Sequence, residues 1–590
     1  MRARFGPQLE PEGGATLRLW AAAAGAVAVT GDAELAMTRR RGGWFEVFVP
    51  TAAPGFRYAF RLDGTLDVPD PASHFQPDDV HGKSEIVDHA FPWRFPDWRG
   101  RPWHEAVFLE LHVGTFTPEG TFRSAISRLA DVAASGITAI ELMPVADFAG
   151  ARNWGYDGVL SFVPDSAYGR PEDLKSLVDA AHGCGLMVFL DVVYNHFGPE
   201  GNYLGRYAPQ FFTAHHTTPW GDAIDYRVPE VRAFAIENAL HWLARYRFDG
   251  LRLDAVHAIV EPGEPSVLEE LSRAVGAFAR ESGRTIHLVL ENDDNRASLL
   301  DPRTVTPEGR YRAQWNDDYH HAWHVLLTGE EAGYYGDYRG DSRRQIAQAL
   351  SRGFVYQGEP SRHRGGAPRG EPTAGLPPTA FVTFLQNHDQ IGNRAFGERL
   401  TTLAAPEAID AALAVTLLAP SPPLLFMGEE WGATEPFPFF CDFAGALGEA
   451  VRQGRSREFA AHFTACDGAT IPDPLAEETF RAAVLDWSAR TRPPHAARLA
   501  RVRELLAVRR RVIGPLLPQL ETALAMARSE GHAVAVGWMN GSAARLELVA
   551  NLGPEVCERP PGFGARVPFW GGEPPARLPP WSVFWLAEPL

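Results

Sequence analysis

Phe248-Asp249-Gly250-Leu251-Arg252-Leu253-Asp254-Ala255-Val256-His257 is the stretch on which the reading of this 590-residue chain turns. Leu251 and Leu253 alternate with Arg252 and Asp254, so on a strand the two charged side chains share one face. Ordinary core has no place for such a face. A cation and a carboxylate two residues apart at a strand end can instead converge on a substrate, the arginine keeping the carboxylate ionised. Asp254 is therefore expected to act as a nucleophile, with a buried salt bridge as the alternative reading of the pair.

On either side of this stretch the pattern is strand, helix, strand, helix. Apolar runs occupy 106–114, 137–145, 186–194, 248–256, 286–291, 381–387 and 424–427, with a weaker run at 311–315. Between them, Arg170-Pro171-Glu172-Asp173 places a proline in a first helical turn, and Val231, Phe234, Leu240 and Leu243 recur at helical spacing. Eight strands alternating with helices predict an α/β fold with a catalytic (β/α)8 barrel (TIM barrel) over 105–490. Residues 1–95 read as short strands and turns, which predicts an N-terminal β-sandwich; 491–590 read as a linking helix, bearing Leu499, Val502, Leu505, Leu506 and Val512, followed by a small C-terminal β domain with a turn at Asn540-Gly541. Two stretches break the alternation. Residues 197–228, with Tyr203, Tyr207, Phe211, Phe212 and Trp220, are too long for a plain loop and are expected to form an excursion over the active face. Residues 357–378, with Arg362-His363-Arg364-Gly365-Gly366 among glycines and prolines, are expected to be a mobile, solvated loop, with a lid as the alternative.

Lys+Arg 56 against Asp+Glu 73 leaves a net charge of −17 with no dense basic stripe, which weighs against a nucleic-acid partner. Met1-Arg2-Ala3-Arg4-Phe5-Gly6-Pro7 leads into no apolar run, and no apolar segment reaches membrane length, so a cytoplasmic protein without membrane contact is expected. Cys184, Cys441, Cys466 and Cys557 lack the close spacing of metal motifs and read as reduced thiols. Tryptophans suit sugar stacking, but most of the 16 are expected in the core.

In a barrel of this kind the chemistry sits at the C-terminal ends of the strands. The third run ends Asp191-Val192-Val193-Tyr194-Asn195-His196, the fourth Arg252-Leu253-Asp254, the fifth Leu290-Glu291-Asn292-Asp293 and the seventh Gln386-Asn387-His388-Asp389. Each alone has a bland reading, as a cap, a satisfied core histidine or a surface charge. Together, four strand ends each bearing a carboxylate are too costly to bury for anything but a catalytic cluster. Without a catalytic cysteine, a phosphate loop or a metal motif, the cluster points to glycosidic chemistry, in which one carboxylate attacks and another donates a proton.

The motifs DVVYNH at 191–196, GLRLDAVH at 250–257, LEND at 290–293 and QNHDQ at 386–390 resemble, in order and spacing, the four signature regions of the alpha-amylase family, glycoside hydrolase family 13. The resemblance covers roughly 105–490. It implies that Asp254 is the nucleophile, Glu291 the general acid/base and Asp389 the carboxylate that holds sugar hydroxyls in the transition state. It further implies that His196 and His388 bind hydroxyls, that Asp191 orients the substrate alongside Arg252, and that Tyr156, in Asn153-Trp154-Gly155-Tyr156-Asp157-Gly158, stacks on the sugar. Asn195 matches a calcium-binding position of many amylases, but no carboxylate-rich loop accompanies it. Neither a metal nor a cofactor is expected.

All members share this trio, so the finer reading comes from other stretches. Leu290-Glu291-Asn292-Asp293-Asp294-Asn295, Gln314-Trp315-Asn316-Asp317-Asp318-Tyr319-His320-His321, His216-Thr217-Thr218-Pro219-Trp220-Gly221 and Phe426-Met427-Gly428-Glu429-Glu430-Trp431 look most like one subgroup, the maltooligosyltrehalose trehalohydrolases. That likeness implies retaining hydrolysis of the α-1,4 bond next to the terminal trehalose of a maltooligosaccharide, with Asn292, Asp293 and Trp315 as candidates for the trehalose side. A glycogen branching or debranching enzyme and a catalytically silent carbohydrate-binding protein of the same fold remain the alternatives.

Overall fold

The computed structural model describes residues 3–218, 221–259, 261, 265–300, 311–459, 471–540 and 544–588; Trp220, Cys466 and Gly541 fall outside them. Each of the eight apolar runs coincides, to within a residue, with one strand of a closed parallel barrel: β1 (Phe108–Leu111), β2 (Ala139–Leu142), β3 (Met187–Val193), β4 (Gly250–Asp254), β5 (His287–Leu290), β6 (Ala313–Trp315) and β7 (Phe381–Phe384) inside their runs, and β8 (Pro423–Phe426) starting one residue before its run. The strands pair in chain order, and β8 closes on β1. Every residue of β1, β2, β4 and β5 is buried, as expected of parallel strands covered on both faces. The weakest run in the sequence became the shortest strand, β6.

The opening stretch owes its position to Gly250. A Cβ there would lie 2.2 Å from the Phe189 ring and 2.5 Å from the His287 carbonyl oxygen, so only glycine lets β4 close between β3 and β5. Register then pairs Asp191 with Arg252 and Val193 with Asp254. Around the barrel lie α1 (Pro171–Gly183), α2 (Pro229–Arg245), α3 (Asp317–Thr328), α4 (Pro406–Leu418) and α5 (His495–Val508). Val231, Phe234 and Leu243 of α2 are buried as the periodicity predicts, while Leu240 is half-buried. Asn238 shares the inner face because its amide is satisfied, accepting from Tyr194 Oη at 2.8 Å and donating to the Ser161 carbonyl at 2.7 Å.

The N-terminal region is a sandwich of two antiparallel sheets, and Ser84–Glu85 still pairs with the strand Arg57–Leu62, well beyond the last regular strand Leu66–Val68. The C-terminal region is a five-stranded antiparallel sheet in the order Leu524–Glu530, Ala533–Asn540, Ala544–Asn551, Val583–Ala587 and Val567–Trp570. Leu524–Glu530 has no buried residue, which is why no apolar alternation betrays it in the sequence. Among the described residues no helix is long and apolar enough to cross a membrane, and Cys184, Cys441 and Cys557 are free.

Two local expectations are corrected. The 197–228 insertion contains the hairpin Phe212–Thr218 and Gly221–Ile224, and its aromatics wedge between the sandwich and α2. The Phe211 ring lies 5.5 Å from Trp20 and 5.4 Å from Phe234, and the Ala23 N–H donates to the Tyr207 carbonyl at 2.9 Å. None of its described residues lines the cleft at the strand ends, which His196, just before the insertion, reaches. Nor is 357–378 simply solvated: Asp337 accepts from Ser361 Oγ at 2.6 Å and from the N–H groups of Arg362 and His363 at 2.7 and 3.0 Å, and Arg369 is 4% exposed.

Candidate active site

Arg252 is the hub toward which the strand ends point. Its Nη1 lies 2.7 Å from both Asp191 Oδ2 and Asp254 Oδ1, its Nη2 3.2 Å from Glu291 Oε2, and its guanidinium 4.2 Å above the Trp315 ring. Trp315 is 1% exposed, so it supports the arginine from beneath and cannot touch a sugar, which corrects its expected place in substrate binding. Asp191 and Asn292, 2% and 1% exposed, also stand behind the cleft rather than on its wall.

Asp254 and Glu291 are driven in opposite directions by this setting. Burial pushes the Asp254 carboxyl up, but the Arg252 charge and the Asn195 amide, which donates at 2.9 Å, outweigh it and hold the group below the usual carboxylate range. Burial also pushes Glu291 up, and Asp254 and Asp317 add to it; Arg252 and the Ala255 N–H at 2.7 Å oppose this without prevailing, so Glu291 stays well above the usual range. Ala255 occupies the left-handed region at φ 40°, ψ 48°, a strained conformation for a residue with a Cβ, and this turn aims its N–H at Glu291. A carboxyl held low and a carboxyl held high beside a single guanidinium is an arrangement suited to a nucleophile and an acid.

Asp389 enters from the first turn of a short helix (His388–Gly392) capped by Asn387, and Asn393 Nδ2 donates to it at 2.9 Å. Burial raises its carboxyl, helped by Asp254 and Glu110 and resisted by His388 and Arg252. His388 stacks on Tyr156 with ring centroids 5.0 Å apart. Glu110 at the end of β1 accepts the His388 backbone N–H at 3.0 Å and closely contacts Nδ1; against the downward push of burial, its charge raises the imidazole. Tyr156 donates from Oη to Asp191 Oδ2 at 2.6 Å. Its position depends on Gly155, at φ 104°, where a Cβ would strike the Pro144 carbonyl oxygen at 2.0 Å.

Two expected residues are engaged by protein. His196 has Nε2 3.0 Å from the Tyr156 carbonyl and Nδ1 against Asn195 Oδ1, so its ring nitrogens hold the Tyr156 backbone and the Asn195 side chain in place. Asp293 is gripped by Arg364 at 2.6 Å and Arg369 at 2.9 Å; against burial, Arg369 and Arg364 lower its carboxyl. Asn195, the position matching a calcium ligand, spends its amide on Asp254 instead.

The trio borders a cleft of about 540 Å³, walled by Tyr156, His196, His388 and Arg455, and a recess of about 160 Å³ walled by Asp293, Asp317, Tyr334 and Arg364. Glu291 and Asp389 line both, so a chain running from one into the other would cross between them. Sequence reasoning missed Glu110, which carried the same signal as Asp254, a charge inside the apolar run Phe108-Leu109-Glu110-Leu111. Asp317, singled out only as part of the Gln314–His321 stretch, has its carboxyl raised to about 7 by burial and by Asp293 and Asp389.

Comparison with known proteins agrees with this geometry. Residues 89–219 match the family described as alpha amylase, catalytic domain, 4–74 match carbohydrate-binding module 48, the isoamylase N-terminal domain, and 523–585 match a domain of unknown function. A malto-oligosyltrehalose trehalohydrolase from Deinococcus radiodurans is 44% identical over 559 residues, covering 94% of this chain and 90% of that protein. A crystal structure from Salmonella typhimurium assigned as an alpha amylase superposes over 100% of both chains with a TM-score of 0.94 and 43% identity. A 1,4-alpha-glucan branching enzyme from Nocardia farcinica is 31% identical over 314 residues, covering 47% of this chain and 42% of that protein.

Proposed function

The chain belongs to the malto-oligosyltrehalose trehalohydrolases of the alpha-amylase family, and on that premise we propose that it hydrolyses, with retention, the α-1,4-glucosidic bond next to the terminal trehalose of a maltooligosyltrehalose, releasing trehalose. The observation that carries the chemistry is the opposed displacement of Asp254 and Glu291 around Arg252. Asp254, ionised, attacks the anomeric carbon as Glu291 donates its proton to the glycosidic oxygen, so the C–O bond breaks, neutral trehalose departs and a glycosyl ester forms. Glu291, now a carboxylate, takes a proton from water; the hydroxide displaces Asp254 and the maltooligosaccharide leaves with its original configuration. Asp389 accepts hydrogen bonds from sugar hydroxyls, and His388, held by Glu110, donates to them.

The glucan chain fits the larger cleft, where Tyr156 offers an aromatic face, and the leaving trehalose fits the smaller, carboxylate-rich recess around Asp293 and Asp317, whose polar groups suit a compact disaccharide. The branching alternative is less well supported, because the branching relative covers under half of the chain whereas the trehalohydrolase covers nearly all of it.

Incubation with maltopentaosyltrehalose and, separately, with amylose tests the reading. Free trehalose from the first and no new branches in the second are the expected products. New α-1,6 linkages, or release of glucose or maltose in place of trehalose, would overturn it. Proton NMR during the first turnovers should show the reducing sugar emerging as the α-anomer.

A further inference from the structure

Outside the cleft and its recess, three histidines from three separate segments meet. His74 lies between the sandwich strands Leu66–Val68 and Ser84–Glu85, His89 lies in the passage to the barrel, and His241 projects from α2. Their rings are mutual neighbours, with centroids 4.6, 5.2 and 5.3 Å apart, and one nitrogen from each lies within 4.8 Å of the others. Both ring nitrogens of His89, and Nε2 of His241, are buried without a hydrogen-bond partner. Buried polar atoms are rarely left so, and three on adjoining imidazoles call for a ligand.

We propose that His74, His89 and His241 bind a transition-metal dication of the zinc type, fastening the N-terminal sandwich to the barrel. The chemistry of the donors favours it. A ligating imidazole presents an unprotonated nitrogen, and the unpartnered ring nitrogens of His89 and Nε2 of His241 are placed to do so. Three nitrogens and one open position make a site for Zn²⁺, Ni²⁺ or Cu²⁺, whereas Mg²⁺ and Ca²⁺ require oxygen donors. Bonds of about 2.0–2.1 Å place tetrahedral ligand nitrogens roughly 3.3 Å apart, so small rotations of the rings close the triad.

Opposing charges also face the site. Lys175 donates to the His89 carbonyl at 3.1 Å, and Arg245 lies on the same helix as His241. Their field weakens cation binding, so selectivity for the strongest imidazole-binding metals is part of the proposal. The same cations raise the opposite possibility, an anion held by Lys175 and Arg245, and the experiment separates the two. The Tyr246 hydroxyl, also buried without a partner beside His89 and His241, can hydrogen-bond a water in the fourth position.

The full chain, stripped with a chelator, is titrated with Zn²⁺ by calorimetry, and with Co²⁺ while the visible spectrum is followed. One Zn²⁺ per chain, an intense tetrahedral Co²⁺ band and a raised thermal midpoint are expected. His241→Ala should weaken binding at least tenfold and abolish both the band and the shift. His89→Phe, which keeps an aromatic ring in the packing, should do the same while the metal-free midpoint stays close to wild type. Zinc binding unchanged in a variant with all three histidines replaced would overturn the proposal. So would stabilisation by inorganic phosphate instead of zinc that disappears in Lys175→Ala.

Discussion

Arg252 offers one guanidinium to three carboxylates, and its effect on each follows from geometry. Asp191 behind it and Asp254 before it share Nη1 at 2.7 Å, while Glu291 is held more loosely at 3.2 Å. The tighter contact, joined by the Asn195 amide, favours the charged form of Asp254, and the looser one leaves Glu291 to burial and its acidic neighbours, while for Asp191, at the same 2.7 Å, burial outweighs the arginine and raises the carboxyl to about 6. Arg252→Met should therefore raise the Asp254 pKa and move the acidic limb of kcat/KM to higher pH, with a lower plateau, as read from a pH–rate profile. Asp254→Ala should lower turnover by about 10⁴-fold or more while oligosaccharide binding, measured by calorimetry, persists. Near-normal turnover in that variant would exclude Asp254 as the nucleophile. Asp317 offers a subtler test, because its charge raises Glu291 from across the smaller recess. Asp317→Asn should lower the Glu291 pKa, so Glu291 loses its proton sooner and the alkaline limb moves to lower pH. A shift in the other direction would remove Glu291 from the role of acid.

At the scale of elements, the hairpin Glu359–Pro360 and Pro368–Arg369 ties the turn after β5 to α3. Arg369 contacts Asp293 at 2.9 Å and Asp318 at 3.0 Å, and the Asp318 carboxylate also accepts from Asn295 and from the N–H groups of Val355 and Tyr356. Because the Asp318 side chain is fully buried, Arg369→Ala should destabilise the barrel by about 3 kcal/mol or more in denaturant titrations. Arg364, whose partners Asp293 and Asp294 are nearly half-exposed, should cost under about 1 kcal/mol when truncated. This hairpin also marks the limit of what the sequence discloses. The eight barrel strands were legible because strands buried on both faces leave continuous apolar runs, and the meeting of Asp254, Glu291 and Asp389 at one cleft because charges at the ends of those runs stand out against them. Arg364 and Arg369 looked like solvated loop because Gly and Pro surround them and their partners Asp293 and Asp318 are distant in sequence. Glu110 was concealed differently: its partner His388 arrives from β7, on the far side of the closure between β8 and β1.

Over the whole molecule, the number of buried titratable groups sets how stability varies with pH. His112 and His287 are lowered to about 4 and His320 to about 3 by burial. With folded pKa values below the unfolded value, these contribute stability that is complete above about pH 6.5 and lost as pH falls toward 4 and 3. Asp165, Glu429 and Glu430 are raised to about 7 by burial, and Glu141 and Asp147 well above the carboxylate range. With folded pKa values above the unfolded value, these contribute stability that is complete below about pH 4 and lost as pH rises through the folded pKa. The two sets oppose each other in mildly acidic solution, but above about pH 6.5 these three histidines add no slope, His388, raised by Glu110, acts in the same direction as the carboxylates, and Lys175, lowered to about 8, opposes them only at the upper end. The thermal midpoint should therefore fall from pH 6.5 to 8.5. Glu141, inside β2, is the sharpest probe, because both its carboxyl oxygens are buried without a partner and an amide there forfeits no hydrogen bond. Glu141→Gln removes the cost of taking up a proton on folding, so its advantage over the wild type should grow by about 1.4 kcal/mol per pH unit between the unfolded and folded pKa values of Glu141. Unfolding titrations of both proteins at several pH values would measure that widening gap. A gap that stays constant with pH would mean that the protein folds with Glu141 ionised, held by Arg252 as a fourth carboxylate.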